Sequence, residues 1–283
     1  MPSRDKITQP DAVPFRAMTL FLVLTFAIAW GILAAFIFLP ETMVGLFGEI
    51  TGQHPLFYLA VWAPAISAFI VVFRWSGLEG LRRHIGRALL WRCSWHWYTF
   101  LLLGVPLVFF AGSLLKGNLP DFVFPFSSAS SFLIALGFIA TKGPIEEFGW
   151  RGLALPLLQR KMAPIWAALI IGVIWGLWHT PAFLLSGTEQ SAWSFLPFFT
   201  GTIALSVIVT PLFNASRGSI FLPALFHFIL INPVWPDAQP YDTYLFALVA
   251  LVIVWLNHKT MFTRKCSITQ VVPARGGGPI ARN

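Results

Sequence analysis

The sequence predicts an all-α membrane protein, a polytopic bundle of about eight transmembrane helices with both termini in the cytoplasm. Hydrophobic residues make up 57% of its 283 residues and charged residues only 11%, with a mean hydropathy of +0.75. A soluble domain carries roughly 25% charged residues, so this composition excludes an ordinary soluble fold. The formal charge of +8 is assigned to loops that fix topology, and no nucleic-acid partner is expected.

Eight apolar runs of near-membrane length justify the predicted helices in chain order. They are 18–39, 55–73, 98–115, a fourth that begins near residue 131 and holds Glu146 and Glu147, 164–185, 195–213, 219–231 and 244–257. The first run is too long for the apolar part of a secretory signal and is predicted to stay in the protein. Residues 1–265 are therefore predicted to form a single transmembrane domain in the lipid bilayer. Residues 266–283, which contain Pro273 and the run Gly276-Gly277-Gly278-Pro279, are predicted to be a disordered tail.

The basic residues predict the orientation of the bundle. Of 19 Lys and Arg residues, 17 fall in the N-terminal tail, after spans two, four and six, or in the C-terminal tail. Lys116 alone lies in the alternate loops, and Lys142 lies inside a span. Because cytoplasmic loops carry the excess of Lys and Arg, both termini are predicted to be cytoplasmic. The basic segment 77–97 fits either an amphipathic helix on the cytoplasmic surface or a topology-setting loop.

The two acids and two histidines within the predicted spans are the candidates for chemistry: Glu146, Glu147, His179 and His227. A carboxylate at bilayer depth costs about 2.5–3.5 kcal/mol, so such groups are expected to be paired, hydrated or used. With a turn near residues 160–164, Glu146 and His179 each lie roughly 16 residues, or about 25 Å, from that turn on antiparallel helices. Glu146, His179 and His227 are therefore predicted to converge on one water-accessible cavity, open toward the cytoplasm.

The spacing within span four also predicts pairs of charges. On one helix Lys142 would lie over Glu146, and Glu147 over Arg151, four residues apart in each pair. Glu146 and Glu147 would point about 100° apart and so have different roles. The alternative interpretation is that both glutamates are ion-paired structural groups.

The motifs around these residues resemble those of a known family. Glu146-Glu147-Phe148-Gly149-Trp150-Arg151 resembles the Glu-Glu-x-x-x-Arg motif of the CAAX prenyl protease type II family, also called the CPBP or Abi intramembrane proteases. Trp175 and His179 match its second motif, an aromatic residue followed four positions later by His. His227 matches the third motif, although Ile231 stands where Asn is expected and Asn232 follows it. The resemblance covers about residues 130–235.

The resemblance implies an intramembrane endopeptidase and a role for each matching residue. Glu146 would be the general base that activates water, His179 would hold that water or help bind a metal, and His227 would stabilise the oxyanion with Asn232 beside it. Glu147 and Arg151 would support the site. Glu146, His179 and His227 could also hold a divalent metal such as zinc, but the His-Glu-x-x-His motif is absent and no tightly bound metal is expected.

Three classes of function remain open at this stage. The first is an endopeptidase that cleaves a membrane-anchored protein or peptide, prenylated or not, in the plasma membrane of a prokaryote. The second is a non-catalytic scaffold or immunity protein of the same fold. The third is a proton-coupled transporter, which is disfavoured because no inverted repeat relates the two halves of the chain.

Overall fold

The computed structural model describes residues 13–274, which form a bundle of helices. Within this part of the chain there are fourteen α-helices: α1 Ala17–Phe38, α2 Pro40–Phe47, α3 Pro55–Val61, α4 Ala63–Gly86, α5 Trp95–Thr99, α6 Val105–Lys116, α7 Ala129–Ala140, α8 Glu147–Gly149, α9 Leu155–Gln159, α10 Pro164–Trp178, α11 Phe195–Ala215, α12 Phe221–Leu230, α13 Tyr241–Leu256 and α14 His258–Met261. Short 3-10 and π segments join several of them, and the described residues contain no strand.

The membrane-spanning character of the bundle is evident in its longest helices. Four stretches are long and apolar enough to cross a bilayer: Ala17–Phe38, Trp95–Lys116, Pro164–Leu184 and Phe195–Ala215. The pair Pro55–Val61 and Ala63–Leu89, bent by 54°, is a fifth if it is one broken span. Phe221–Leu230 and Tyr241–Leu256 are shorter apolar helices. The predicted polytopic all-helical fold is confirmed, while the count of eight crossings stays a prediction.

The predicted fourth span is broken just before the two glutamates. Helix α7 ends at Ala140, and a 3-10 turn over Gly143–Glu146 starts a new helical path that runs to Gln159. Pro144 explains the break, because a proline has no N–H to donate and its ring disfavours a helical conformation at the residue before it. The predicted stacking of Lys142 over Glu146 needs one unbroken helix, and no ion pair joins them among the described residues.

A π turn over Trp150–Ala154 follows. In this region two backbone carbonyls accept hydrogen bonds from the side chains of His84, in α4, and Arg87, just after it. Pro156 has no N–H to donate to the carbonyl of Gly152, four residues earlier. Arg87 Nη1 donates to that carbonyl at 2.8 Å, and His84 Nε2 lies 3.2 Å from the carbonyl oxygen of Phe148. The helix that carries the glutamates is therefore tied to α4 through its own backbone.

One end of the bundle, which we call the basic face, is formed by the start of α1, residues 83–90, the turn 160–163, the turn 215–219 and residues 264–273. Direct contacts join these segments. Arg160 Nη1 donates to the carbonyl of Val13 at 2.6 Å, Arg87 Nε donates to that of Gly218 at 2.8 Å, and Arg264 Nη1 donates to that of Lys161 at 3.4 Å.

The predicted disordered tail departs from its expectation at residues 266–274, which pack against this face. Val271 is fully buried, and Gln159 Nε2 donates to the carbonyl of Ile268 at 2.8 Å. Arg87 Nη1 also donates to the carbonyl of Val271, at 3.0 Å. Val271 and Val272 are both buried, and backbone carbonyls of the segment accept hydrogen bonds from side chains of the bundle, which composition alone does not reveal. Residues 275–283 lie outside the described residues.

Part of the basic segment 77–97, for which a surface helix or a loop was predicted, continues α4 and contributes buried residues. Gly77, at φ +61°, kinks α4, and the helix then continues to Gly86. Within it His84 is fully buried and Arg87 is 2% exposed. Their hydrogen bonds to backbone carbonyls satisfy charge and polarity at a buried position. Cys93 and Cys266 are both free thiols.

The opposite end, which we call the loop face, is formed by residues 47–54, 186–194 and 232–240. Lys116 Nζ lies 2.6 Å from Asp237 Oδ2, and the Oγ1 of Thr243 donates to the carbonyl of Pro197 at 3.2 Å. Gly187 packs so closely against Ile50 that a Cβ would lie 1.8 Å from the Ile50 carbonyl oxygen. The two faces are thus distinct groups of segments at the two ends of the helices.

Candidate active site

Glu146 is buried at the start of the helical path that follows the break, and its neighbours are uncharged donors. The residue is 3% exposed. Its Oε2 accepts hydrogen bonds from Trp175 Nε1 at 2.9 Å and from Trp150 Nε1 at 3.3 Å. Its Oε1 makes no hydrogen bond to any of residues 13–274. One oxygen is therefore fixed by indoles while the other remains available to a water molecule or a substrate.

Glu147 stands in different surroundings one residue further along. Arg151 Nη1 lies 3.0 Å from its Oε1 and 3.1 Å from its Oε2, which is the pair predicted from the spacing. His227 Nδ1 lies 2.9 Å from the same Oε1. Both members of the Glu147–Arg151 pair are 1% exposed at their side chains. The pair is thus a buried ion pair extended by an imidazole.

The bond between His227 and Glu147 was not predicted from the sequence. A carboxylate accepts, so Nδ1 of His227 is the donor and the neutral ring keeps a lone pair on Nε2. Gly143 lies directly against this nitrogen, since a Cβ there would be 2.5 Å from Nε2. The glycine before Pro144 therefore leaves the space that His227 occupies.

His179 follows the last turn of α10 and points one ring nitrogen at its own helix. Its Nδ1 lies 2.8 Å from the carbonyl oxygen of Trp175. Because a carbonyl only accepts, Nδ1 carries the hydrogen and Nε2 is the free nitrogen of the neutral ring. Glu146 and His179 lie on either side of the turn between α9 and α10 and line the same cavity, as their equal distances from the turn predict.

Trp175 contacts Glu146, Arg151 and both histidines of the site, a role that sequence reasoning missed. It donates to Glu146, and its ring centroid lies 5.7 Å from that of His179 and 5.4 Å from that of His227. The guanidinium carbon of Arg151 lies 4.9 Å from the ring centroid. The indole N–H at the aromatic position of the second motif was the available signal, because it adds a donor that phenylalanine lacks.

Lys142 and Asn232 complete the polar lining but are not bonded to the other predicted site residues. Lys142 Nζ lies 5.5 Å from the ring centroid of Phe57. Asn232 stands just past the end of α12, and its Oδ1 accepts from the backbone N–H of Val234 at 3.2 Å. Because Pro233 follows it, Asn232 is disfavoured in a helical conformation, and α12 ends before it, at Leu230.

Glu146, His179 and His227 line one cavity of about 530 Å³, together with Lys142 and Asn232. This size is typical of ligand pockets, which run from about 300 to 1,000 Å³. The rest of its lining comes from α1, α3, α6, α7, α10, α11, α12 and α13 and from the loops around residues 189–193 and 232–239, and it is mainly apolar. The predicted convergence of the acid and the two histidines on one cavity therefore holds in the geometry.

The cavity lies toward the loop face, at the end of the bundle opposite the segments that flank the two termini. The cavity wall includes Glu189, Gln190, Asp237 and Gln239, all of the loop face, and none of the segments that form the basic face. A cavity open to the cytoplasm and cytoplasmic termini therefore cannot both hold. The two expectations conflict because about 25 Å from the turn exceeds half of a ~30 Å hydrocarbon core, and each of them by itself stays a prediction.

The donor set gives little support for a metal centre. Among residues 13–274, no group of three or more His, Cys, Asp and Glu side chains is arranged to hold a metal ion. Glu147 is held by Arg151 and His227, and both histidines have Nδ1 engaged. What the arrangement offers instead is a carboxylate with a free oxygen, two imidazole nitrogens and a side-chain amide around one cavity.

Over the region that carries the site, the chain is similar to a recognised family of endopeptidases. Residues 128–231 match the family described as type II CAAX prenyl endopeptidase Rce1-like. The chain is also 29% identical over 183 residues to CAAX prenyl protease 2 of Methanococcus maripaludis, an alignment that covers 59% of this chain and 67% of that protein. The resemblance carried by the motifs is confirmed, and the matched region contains Glu146, Glu147, Arg151, Trp175, His179 and His227.

Proposed function

We propose that this relative of the type II CAAX prenyl endopeptidases hydrolyses a peptide bond of a membrane-anchored protein or peptide within a prokaryotic cell membrane, with Glu146 as the general base. The observation that carries the assignment is the setting of Glu146. It is buried, lines the cavity, has no cationic partner among the described residues and keeps one oxygen free of hydrogen bonds.

Glu146 would take one proton from a water molecule while the water oxygen attacks the carbonyl carbon of the scissile bond. A negative charge then develops on the carbonyl oxygen, and donors aimed at that position lower the barrier. Collapse of the tetrahedral intermediate breaks the C–N bond, and the proton held by Glu146 passes to the leaving amine. A positioned acid–base group of this kind contributes typically 10²–10⁴-fold to the rate.

The two histidines would have different roles: His179 would orient the water, and His227 would stabilise the oxyanion. Neutral His179 presents Nε2 as an acceptor, which can orient the attacking water toward Glu146. His227, when protonated, and the amide nitrogen of Asn232 could donate to the developing oxyanion. Glu147 would act through His227 by fixing its ring and tautomer, and Arg151 would hold Glu147 in place.

We further propose that the reaction needs no tightly bound metal. A chelator should leave cleavage unchanged, and metal analysis of the purified protein should find substoichiometric zinc. Loss of cleavage in the chelator, restored by zinc and by no other addition, would contradict this part of the proposal. Whether the substrate must be prenylated is tested by comparing the cleavage rates of prenylated and unprenylated membrane-anchored peptides.

The decisive experiment is a cleavage assay in proteoliposomes with fluorogenic membrane-anchored peptides. Glu146→Gln keeps the shape of the side chain but cannot accept a proton from water. It should lower cleavage by at least roughly 10²-fold without loss of folding or insertion. Glu79→Gln is the matched control, because Glu79 is exposed on the helix that leads to the basic face, far along the chain from the cavity lining. Near-wild-type cleavage by Glu146→Gln would overturn the mechanism.

A further inference from the structure

We propose that residues 267–273, which we call the strap, position the helical stretch 143–159, which carries both glutamates and which we call the glutamate segment. Arg87 and His84 transmit this restraint and are positioning residues for the reaction. The inference rests on the proposed function, because it concerns the rate of that reaction. Its structural part, the restraint on the glutamate segment, can be measured without any assay of cleavage.

The backbone of the strap is held by side chains of the bundle. Hydrogen bonds of 2.6–3.0 Å reach the carbonyls of Ile268, Thr269, Val271 and Pro273 from the side chains of Gln159, Arg160, Arg87 and Arg83, in that order. Three of these four donors are guanidinium groups, and charge-assisted hydrogen bonds are stronger than neutral ones. The N–H of Ile268 also donates to Asn214 Oδ1 at 3.0 Å. The bundle therefore fixes the course of the strap along most of its length.

The side chains of the strap add apolar packing to these bonds. Val271 is fully buried and Val272 is 6% exposed. Ile268 packs so closely against the turn at Gly218 that a Cβ there would lie 2.9 Å from Ile268 Cγ2. Gln270, in the middle of the strap, is exposed. Two neighbouring positions of the strap thus differ sharply in burial, which gives a matched pair for substitution.

Arg87 joins the strap directly to the glutamate segment. Its Nη1 donates to the carbonyl of Val271 at 3.0 Å and to that of Gly152 at 2.8 Å. A terminal guanidinium nitrogen carries two hydrogens, so both bonds can exist together. The bond from Nε to the carbonyl of Gly218, at 2.8 Å, fixes the plane of the group. Gly152 immediately follows Arg151, so the bridge ends beside the buried ion pair of the site.

His84 forms a second link between the same two segments. Its Nδ1 lies 3.1 Å from the carbonyl oxygen of Val271, and its Nε2 lies 3.2 Å from that of Phe148, the residue after Glu147. A neutral imidazole donates to one of these oxygens at a time, so packing must carry part of this link. Gly152 leaves room for the ring, since a Cβ there would lie 2.9 Å from His84 Cε1. The fully buried ring is enclosed between the strap and the glutamate segment.

These links meet the glutamate segment where its own backbone bonding is irregular. The π turn Trp150–Ala154 lies there, and Pro156 has no N–H to offer the carbonyl of Gly152. None of the strap residues, Arg87 or His84 lines the cavity. Loosening of the strap is therefore expected to change the position of the reacting groups rather than the contacts with the substrate. Because a displacement of about 1 Å in a catalytic constellation can cost roughly 10²-fold, kcat should fall while KM changes little.

Val271→Asp and Gln270→Asp test the strap with the same new charge at neighbouring positions, one fully buried and one exposed. Burial of an unpaired carboxylate is very costly, so Val271→Asp should detach the strap. In proteoliposomes its kcat should fall at least roughly tenfold with KM within about twofold, whereas Gln270→Asp should match the wild type. Wild-type kcat in Val271→Asp would overturn the proposal, and so would equal losses in the two variants.

Coupling between the strap and Arg87 separates positioning from general destabilisation. Arg87→Lys keeps the charge but loses the planar fork that binds several fixed carbonyls. Val271→Ala is the milder strap variant, and it also replaces Val271→Asp if that protein does not fold. Because both changes weaken one link, the double variant should lose less kcat than the product of the single losses. Strictly multiplicative losses, or wild-type kcat in both single variants, would overturn transmission through Arg87.

Hydrogen exchange of the full-length protein measures the restraint itself. Backbone amides of residues 148–158 should exchange at least about fivefold faster in the strap variants than in Gln270→Asp, because loss of the strap makes local opening easier. The amides of α13 serve as the internal reference. Unchanged exchange over residues 148–158 overturns the proposal. Full cleavage by Glu146→Gln would instead overturn the proposed function alone, and the exchange result would still decide whether the strap restrains the glutamate segment.

Discussion

The two sides of the helix that begins at Gly143 are built from different groups, although Glu146 and Glu147 are neighbours and nearly equally buried. On the Glu146 side there are two indole donors and the cavity. On the Glu147 side there are Arg151 and His227. Burial alone therefore does not tell which acid is available for chemistry. The partners do, because a carboxylate held by a cation and an imidazole has little freedom to exchange a proton with water.

The largest expected effect on stability is at Glu147. Its replacement by Gln leaves the Arg151 guanidinium buried without a counter-charge, and removal of one partner of a buried pair typically costs about 3–5 kcal/mol. Glu147→Gln and Arg151→Gln should both lower the midpoint of thermal unfolding in detergent, and cleavage should fall with it. Glu146→Gln should keep near-wild-type thermal stability. Equal destabilisation by Glu146→Gln would erase the difference between the two sides.

Gly143 offers a way to move His227 without touching either glutamate. Its Cβ in Gly143→Ala would lie 2.5 Å from His227 Nε2 and 2.9 Å from Ile231 Cδ1, so the imidazole must shift. Because a displacement of about 1 Å in a catalytic constellation can cost roughly 10²-fold, a comparable loss of kcat is expected.

Gly137→Ala is the matched control for Gly143→Ala. Gly137 lies in α7, and a Cβ there meets no atom within 4 Å. This variant should cleave at the wild-type rate with equal or greater stability, since Ala is the better helix former. An active Gly143→Ala variant would mean that the position of His227 is not needed for the reaction.

Much of this site was predictable from residue types and spacing. The ionisable residues inside apolar runs identified Glu146, Glu147, His179 and His227, and the i,i+4 rule correctly paired Glu147 with Arg151. A turn near 160–164 predicted an antiparallel hairpin, and the equal distances of Glu146 and His179 from that turn predicted that they would line the same site. These predictions depend on local periodicity and on the cost of burying charge, and both are encoded in the sequence itself.

The features that sequence reasoning missed depend on contacts between distant segments. The bond from His227 to Glu147 joins residues 80 positions apart, and no periodicity encodes it. Lys142 failed to pair with Glu146 because Gly143-Pro144 breaks the helix between them. Backbone carbonyls of the tail from residue 267 accept hydrogen bonds from the side chains of Arg87, just after α4, and Gln159 of α9, which composition does not reveal.

A smaller effect on kcat is expected from Trp175→Phe, which tests the contribution of the indole donor to Glu146. The substitution removes the 2.9 Å hydrogen bond to Glu146 Oε2 and keeps an aromatic ring between His179, His227 and Arg151. A hydrogen bond to a charged group contributes about 1.5–3 kcal/mol, so kcat should fall by roughly tenfold or somewhat more, with KM little changed.

Trp178→Phe is the control for Trp175→Phe. Trp178 also contacts His179, at 4.7 Å between ring centroids, but its Nε1 is buried without a hydrogen-bond partner in the described structure. Its replacement by Phe removes no hydrogen bond and should leave kcat near the wild-type value. Equal losses from the two substitutions would indicate that ring packing, rather than the indole donor, positions Glu146.

The smallest expected effect is at Trp150, the second donor to the same oxygen. Its bond to Glu146 Oε2 is 3.3 Å, longer than that from Trp175 and at the weak end of the normal range. Trp150→Phe keeps a ring against Phe21 and Trp178, so kcat should fall only about two- to fivefold.

Because both donors bind one oxygen, the double variant Trp150→Phe/Trp175→Phe should lose more kcat than the product of the single effects. Whichever indole remains can still hold the carboxylate, and only their joint removal frees Glu146 to rotate. Strictly multiplicative losses in kcat would mean that the indoles act independently, and a larger effect at Trp150 than at Trp175 would contradict the assignment of the shorter bond as the main restraint on the base.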